Sequence, residues 1–532
     1  MFPGAVIGLK RNCLVIALTG VLAGLPTLSV SYEWVGYING DATGDQYGSS
    51  FCTLDFNSDG YQDLVIGAPA SDLGGVSSGM VSVYYGGPDA DTVRDLVLTG
   101  APSSFFGKSL ASAGDFNGDG AEDLLVGAPF YDSPATNAGA VYLFLGGTNP
   151  DTVVDHIFTG GAESDYFGIA VTSGDFNADG FSDIIIGAYK ADWGSFVDAG
   201  RVYIFAGGSS PEYTVDYTLT GDANGERFGY SLTSGDFNGD GHDDIAVGAY
   251  SFDSEDLNVG RVYLFYGGTA PDVHHDLIFQ GSESGDKFGW SLASGDVTGD
   301  HYDDIVMGSD GHAISFASAG RVYVFDGGPG IDADEAYHFD LGRARSDLLG
   351  FSVAAGTDVS SDGIADLLTG MPGNADGGVM AGGAVLLSGG ATIEPDTAFY
   401  GSSTDEQTGQ AVFFWPDFGD GNVAFGAGGH GFDDYRGRVR LFRAPAYNCC
   451  VGKVGDVNGD GGAEPTLADV SVLIDLLFIS RNPALIGCIT EADINQSGGA
   501  HPVIDDLSIA DISILIDYLF ITGPSLGLPD CL

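Results

Sequence analysis

The sequence predicts an all-β fold, a seven-bladed β-propeller of four-stranded antiparallel blades, followed by a small α-helical C-terminal domain. Three observations carry the prediction. An acidic segment recurs at a nearly constant spacing through the first 445 residues. Each copy lies among four short β-branched and aromatic runs separated by Gly-rich turns. After Cys450 the pattern changes to two apolar stripes of helical period.

The first residues read as a leader. Lys10 and Arg11 precede an apolar run, CLVIALTGVLAGL, which is followed by Pro26 and the small tripeptide Ser29-Val30-Ser31. A basic start, a short apolar stretch and small residues ahead of the cut read as a secretory signal over 1–31, cleaved before Tyr32. The alternative is an uncleaved anchor, for which the run is short. The mature chain is therefore expected outside the cytoplasm, secreted or at the cell surface, with no membrane insertion once the signal is cut.

Composition narrows the partners. With 18 Lys+Arg against 74 Asp+Glu the 532 residues carry a formal charge of −56. So few cations cannot line a phosphate track, which excludes nucleic acid and argues against an anionic membrane surface. Apolar residues make up 44% and aromatics 11%, enough for a large core despite 86 glycines.

The repeat covers residues 32–445. DFNSDGYQD, DFNGDGAED, DFNADGFSD, DFNGDGHDD, DVTGDHYDD and DVSSDGIAD begin at Asp55, Asp115, Asp175, Asp236, Asp296 and Asp358, with spacings of 60 to 62 residues. A decayed seventh copy places Asp417 in phase. An aromatic-Gly pair precedes each of the first five copies: Tyr47-Gly48, Phe106-Gly107, Phe167-Gly168, Phe228-Gly229 and Phe288-Gly289. One strand-like run enters the acidic loop, a second (DLLVGAP, DIAVGAY) leaves it, and a third (GRVYLFYGG) and a fourth (HDLIFQG) complete the unit. A four-stranded meander cannot bury both faces alone, so the units must stack, and a closed ring leaves only short edges. A linear β-solenoid would want shorter repeats. The seventh unit stops after GRVRLF (Gly437–Phe442) with no fourth strand, and YEWVGYI (Tyr32–Ile38) is expected to supply it and close the ring.

In D-x-N-x-D-G-x-x-D, side-chain oxygens at positions one, three, five and nine converge, and position seven offers a carbonyl. Hard oxygen donors in a flexible loop suit Ca²⁺ better than Zn²⁺ or copper. Glycine at position six permits the left-handed turn. Water-solvated Asx turns would account for one such loop, but not for six in phase.

The aromatic-Gly pair, the acidic loop and Gly-Ala-Pro (Gly67-Ala68-Pro69, Gly127-Ala128-Pro129) together resemble FG-GAP repeats, which build the seven-bladed propeller of integrin α chains. The resemblance covers roughly residues 32–445. It implies calcium loops between the first and second strands of a blade, stiffening one face, with ligands approaching the other. Carried over, the ligand sets are Asp55, Asn57, Asp59, Tyr61 and Asp63; Asp115, Asn117, Asp119, Ala121 and Asp123; Asp175, Asn177, Asp179, Phe181 and Asp183; and Asp236, Asn238, Asp240, His242 and Asp244. Asp296, Thr298, Asp300, Tyr302 and Asp304, with His301 in place of Gly, form a weaker set, as do Asp358, Ser360, Asp362, Ile364 and Asp366. The seventh loop has lost its final carboxylate and is expected to bind nothing. The propeller would thus take about four to six Ca²⁺. On the opposite face, the loops between second and third strands hold Phe130, Tyr131, Trp193, Phe196 and Phe252, the expected ligand surface.

Residues 446–532 form a second module. Val470, Leu473, Ile474, Leu477 and Phe478, and again Ile512, Leu515, Ile516, Leu519 and Phe520, follow helical spacing. Each stripe follows an Asx-rich loop: Asp456, Asn458 and Asp460 closed by Asp469, then Asp493, Asn495 and Ser497 closed by Asp511. This paired half-EF-hand arrangement resembles the dockerin domain, which implies one or two further Ca²⁺ and a cohesin-like or cell-surface partner. The first loop carries two extra residues, the second is longer and has Ser497 for Asp, and Leu467-Ala468 and Ile509-Ala510 stand where dockerins often present Ser or Thr. Cys449, Cys450, Cys488 and Cys531 suggest two bridges here, with three possible pairings, of which the adjacent Cys449–Cys450 is the least favourable. Cys52 is expected to be a lone buried side chain.

No catalytic constellation is legible. GVSSG (Gly75–Gly79) fits a nucleophile elbow but falls in a loop between strands, and no H-E-x-x-H or G-K-[ST] occurs. The expected function is a secreted calcium-binding recognition or adhesion protein, its propeller binding a protein or glycan and its tail tethering it to an extracellular scaffold. The alternatives are a polysaccharide-active hydrolase or lyase using the propeller face, and a self-assembling surface array.

Overall fold

A computed structural model describes residues 32–444 except 89, 254–256, 314–316, 334–336, 343, 361 and 419–422. The chain divides into two units, Met1–Pro445 and Ala446–Leu532, and every described residue belongs to the first. The expected leader and the expected C-terminal module, with all their expected sites and cysteines, lie outside the described residues.

The first unit is a seven-bladed propeller of four-stranded antiparallel sheets. Blade 1 shows the pattern: Ser50–Leu54, Asp63–Ala68, Met80–Tyr84 and Leu96–Thr99, paired in chain order. The next five repeat it, beginning at Ser109, Val171, Ser231, Ser291 and Val353. First strands of consecutive blades touch in a closed ring, with Ala411–Trp415 of blade 7 meeting both blade 6 and blade 1. No helix among the described residues is long and apolar enough to cross a membrane.

Closure occurs where the truncated seventh unit required it. Glu33–Asn39 pairs antiparallel with Arg438–Arg443 and becomes the outer strand of blade 7. Beside this seam, Phe432–Tyr435 makes a left-handed turn, with Asp433, Asp434 and Tyr435 at φ 50, 55 and 63. Non-glycine residues avoid that region by roughly 1 kcal/mol each. The turn is held because its carbonyls accept hydrogen bonds from the incoming N-terminal segment: Gly44 N–H to Asp434 at 3.1 Å and Gln46 N–H to Tyr435 at 2.7 Å.

The core lies between blades. Second strands such as DLVIGA, DLLVGA and DIIIGA are buried at every residue because a blade covers each face, so they read as apolar runs without alternation. Val65 and Val81 of blade 1 pack on Leu124 and Val126 of blade 2, and the other interfaces hold equivalent clusters.

The aromatic-Gly pairs are interblade hooks. Phe106, Phe167, Phe228 and Phe288 are buried, and each forms a parallel bridge with a glycine ahead of the preceding blade's third strand: Gly79, Gly139, Gly200 and Gly260. Blades 6 and 7 keep the hook without the aromatic, through Leu349 on Gly320 and Thr408 on Gly382. Backbone geometry makes the hook, so the side chain can change while the glycine persists.

Candidate metal loops and the opposite face

Each acidic loop joins the first and second strands of its blade. Position two anchors it: Phe56, Phe116, Phe176 and Phe237, then Val297 and Val359, are fully buried. Position one organises the turn. The two carboxylate oxygens of Asp55 accept the amides of Asp59 at 3.0 Å and Gly60 at 2.9 Å, and Asp59 Oδ1 accepts the amide of Tyr61 at 3.0 Å. The same bonds recur around Asp115, Asp175 and Asp236, with the glycine at position six in the left-handed region. The two departures tolerate substitution: His301 adopts φ 75 in place of glycine, and Asp358 still accepts the Asp362 and Gly363 amides.

Position nine opens the second strand. Asp63, Asp123, Asp183, Asp244, Asp304 and Asp366 are fully buried. One oxygen of each accepts an amide from the glycine pair after the third strand, from Gly86 to Asp63 at 2.8 Å through to Gly389 to Asp366 at 3.0 Å. Burial pushes the first four carboxyls up to about 7 and the last two to about 6. Two buried oxygens at these loops, Asp123 Oδ2 and Asn177 Oδ1, have no hydrogen-bond partner. Buried acceptors without a donor carry a desolvation cost that a cation relieves.

The donor set is all oxygen, which fits a hard divalent cation. Among the described residues no three His, Cys, Asp or Glu side chains converge closely enough to hold a metal ion as they stand. The carboxylates at positions one and five are instead engaged with the loop's own amides. In the seventh loop Asp417 serves as a clamp: its side chain accepts the Gln62 amide at 2.9 Å and its carbonyl the Gly87 amide at 2.8 Å.

The loops are also fastened to one another. Carbonyls at position two accept amides from the next blade, Gly147 to Phe56 at 3.0 Å, Gly208 to Phe116 at 2.9 Å and Gly390 to Val297 at 2.8 Å among them. Acids at position eight reach back to the preceding loop: Glu122 to the Asp55 amide at 3.1 Å, Asp243 to Asp175 at 2.8 Å and Asp303 to Asp236 at 3.1 Å. Stiffening one loop therefore stiffens a blade interface. Sequence reasoning passed over position eight, although its acids recur in phase.

A second buried series was also missed. Two residues before every hook but that of Phe106, where Ser104 stands, lie Asp45, Asp165, Glu226, Asp286, Asp347 and Glu406, all buried on the face away from the acidic loops. They cap turn amides, as Asp45 does for Ala42 at 2.9 Å and Asp347 for Ala344 at 2.8 Å. Their partners differ by blade: Tyr263 donates to Glu226 at 3.1 Å, the His312 ring contacts Asp286 at 2.9 Å, and Arg440 pairs with Glu406 at 2.7 Å.

The expected ligand aromatics divide. Trp193 and Phe196 are exposed, at 46% and 36%, and exchange backbone hydrogen bonds across a tight bridge. Phe130 packs on Phe105 and Tyr166, and Tyr131 on Tyr142. Phe252 is corrected: it is 7% exposed, with the Arg261 guanidinium 3.4 Å above its ring, because that loop folds back over its own third strand. Cys52 is a free, half-buried thiol whose pKa burial raises.

Fold and loops together define an integrin-like β-propeller built from FG-GAP repeats. The FG-GAP repeat family matches residues 47–84, 106–144, 167–205, 228–265 and 288–325. Integrin alpha-5 of Xenopus laevis is 33% identical over 229 residues, 40% of this chain and 21% of that protein. Integrin alpha-8 of Mus musculus is 30% identical over 319 residues, 55% of this chain and 28% of its own length. Phosphatidylinositol-glycan-specific phospholipase D of Bos taurus is 34% identical over 153 residues, 27% of this chain and 18% of the enzyme. The matched stretches thus span less than a third of each relative.

Proposed function

We propose that the chain is a secreted or cell-surface recognition protein whose calcium-stiffened propeller binds a protein or glycan ligand. In this reading residues 1–31 are a signal peptide, 32–445 the recognition propeller, and 446–532 a dockerin-like module that tethers it through a cohesin-like or cell-surface partner. The acidic loops act as structural rivets. The oxygens at positions one, three, five and nine, with the position-seven carbonyl, would hold Ca²⁺ in the first four loops and more weakly in the fifth and sixth. The ion supplies positive charge to carboxylates that burial otherwise holds against ionisation. The chain's own residues do the rest: position two roots each loop between blades, and position eight passes its rigidity to the neighbour.

The observation that carries this reading is the buried position-nine carboxylate repeated in six loops, with orphaned oxygens at Asp123 and Asn177. The similarity to integrin alpha chains supports ligand binding as the role of the face opposite the loops. The test is calorimetric titration of chelated protein with calcium, paired with thermal unfolding. Uptake of at least four ions and a melting temperature raised by several degrees are expected, since a ligand bound only to the native state stabilises by RT ln(1 + [L]/Kd). No uptake and an unchanged melting temperature would overturn it.

A further inference from the structure

In a chain of net charge −56, three cations gather on one arc of the face away from the acidic loops. The whole sequence has lysine only at 10, 108, 190, 287 and 453. The three in the propeller, Lys108, Lys190 and Lys287, all flank the ends of inner and second strands on this face. Lys190 and Lys287 are joined there by Arg227, one cation from each of blades 3, 4 and 5.

Aromatic rings space these cations. Tyr166, Tyr189, Tyr230 and Trp290 form a continuous run, with successive centroids 5.5, 5.5 and 4.9 Å apart. Lys190 Nζ lies 4.9 Å from the Tyr166 centroid and 5.6 Å from that of Tyr189. Lys287 Nζ lies 4.6 Å from Trp290, and Arg227 lies over Tyr250 and donates to its hydroxyl. Only Lys287 has a carboxylate partner, Asp310 at 3.1 Å; among the described residues none lies within 4 Å of Lys190 or Arg227.

The chain's own cations already occupy these ring faces, so a further cation gains little here, while two unpaired positive heads invite an anion. At physiological salt the Debye length is about 8 Å, so the distant carboxylates are screened and the local charge decides. The occupant must offer spaced negative charges separated by apolar surface. Acidic sugars do so, with a carboxylate on each residue and C–H faces between. An acidic peptide would also bring backbone amides, and ring edges offer these no partner.

We propose that the Lys190–Arg227–Lys287 arc binds an acidic polysaccharide, its uronate carboxylates on the cations and its sugar C–H surface against the ring edges of Tyr189, Tyr230 and Trp290. This rests on the recognition reading above and names its ligand class.

The test is calorimetry of the full chain in calcium, at physiological salt, with three probes: an octamer of α-1,4-linked galacturonate, its methyl ester and a glutamate octapeptide. Binding of the free acid is expected, with at least ~10-fold weaker binding of the ester and of the peptide, each lost charge contact costing about 1 kcal/mol. K190Q/K287Q should weaken the acid octamer at least ~10-fold, and K190R/K287R should retain it. Equal binding of acid and ester, preference for the peptide, or no binding of the octamer would each overturn the proposal. So would an undiminished affinity in K190Q/K287Q, since that is the signature of bridging through metal held in the acidic loops. If K190Q/K287Q misfolds, the ester and peptide arms still decide. A protein that shows the calcium-dependent melting shift but ignores the octamer sinks this proposal alone.

Discussion

Gly127 in the second strand of blade 2 has no room for a side chain. A Cβ there would stand 2.0 Å from Ser109 Oγ and 2.2 Å from the Gly168 carbonyl oxygen of blade 3. One hydrogen bond runs through that contact, from Ser109 Oγ to the Gly168 carbonyl at 2.9 Å. Gly127→Ala must push blade 3 outward or break it. One hydrogen bond at about 1 kcal/mol, with about 1–3 kcal/mol for overpacking, gives a loss of about 2–4 kcal/mol. Gly161 is the control: a Cβ there meets nothing within 4 Å, so Gly161→Ala should change stability by no more than about 0.5 kcal/mol. Guanidinium unfolding of both variants in calcium, followed by tryptophan fluorescence, measures the difference. Coincident midpoints would refute the claim that this glycine is required by blade-to-blade approach. The same contact recurs at Gly67, where a Cβ would lie 2.2 Å from the Gly107 oxygen.

Three other outcomes are expected. Glu226 is fully buried, and burial followed by the charge of Asp222 pushes its carboxyl from 4.5 up to about 7. The folded state then holds a proton that the unfolded chain has released, so the stabilising contribution is complete below about 4.5 and is lost as pH rises through 7. Glu226→Gln should therefore remove up to about 3 kcal/mol of destabilisation at pH 8, read as a melting curve flatter with pH than that of the parent. Arg440→Met strands the buried Glu406 charge and should cost about 3–5 kcal/mol by chemical denaturation; adding Glu406→Leu should recover most of it, and failure to recover would show that the pair is not coupled. Asp123→Ala should lower calorimetric calcium uptake by one ion, and an unchanged stoichiometry would remove the second loop from the ligand set.

Much of the fold was legible because a propeller is a local structure repeated. Strands, turns and acidic loops are each specified within sixty residues, so Asp55 and Asp115 announce equivalent positions before any coordinates exist. The fourth strand missing from the seventh unit likewise pointed to Tyr32–Ile38, and the strand runs Glu33–Asn39. The buried acids from Asp45 to Glu406 were passed over because they resemble any solvated turn carboxylate. Only their shared place two residues ahead of a hook sets them apart. Phe252 was misjudged for a related reason: an aromatic in a variable loop reads as exposed until Arg261 is found above it.

The amino-acid order by itself determined the blade count, the strand order within each blade and the phase of the acidic loops, since all follow from turn chemistry and hydrophobic period over short distances. Tertiary structure alone decided which residues of different blades meet. The hooks between Phe106 and Gly79, the position-eight clamps and the arc of Lys190, Arg227 and Lys287 join residues that share no strand. Closing the ring brings them together, because a sheet that cannot bury its own faces must borrow its neighbour's, and in doing so aligns one cation from each of blades 3, 4 and 5 along a common rim.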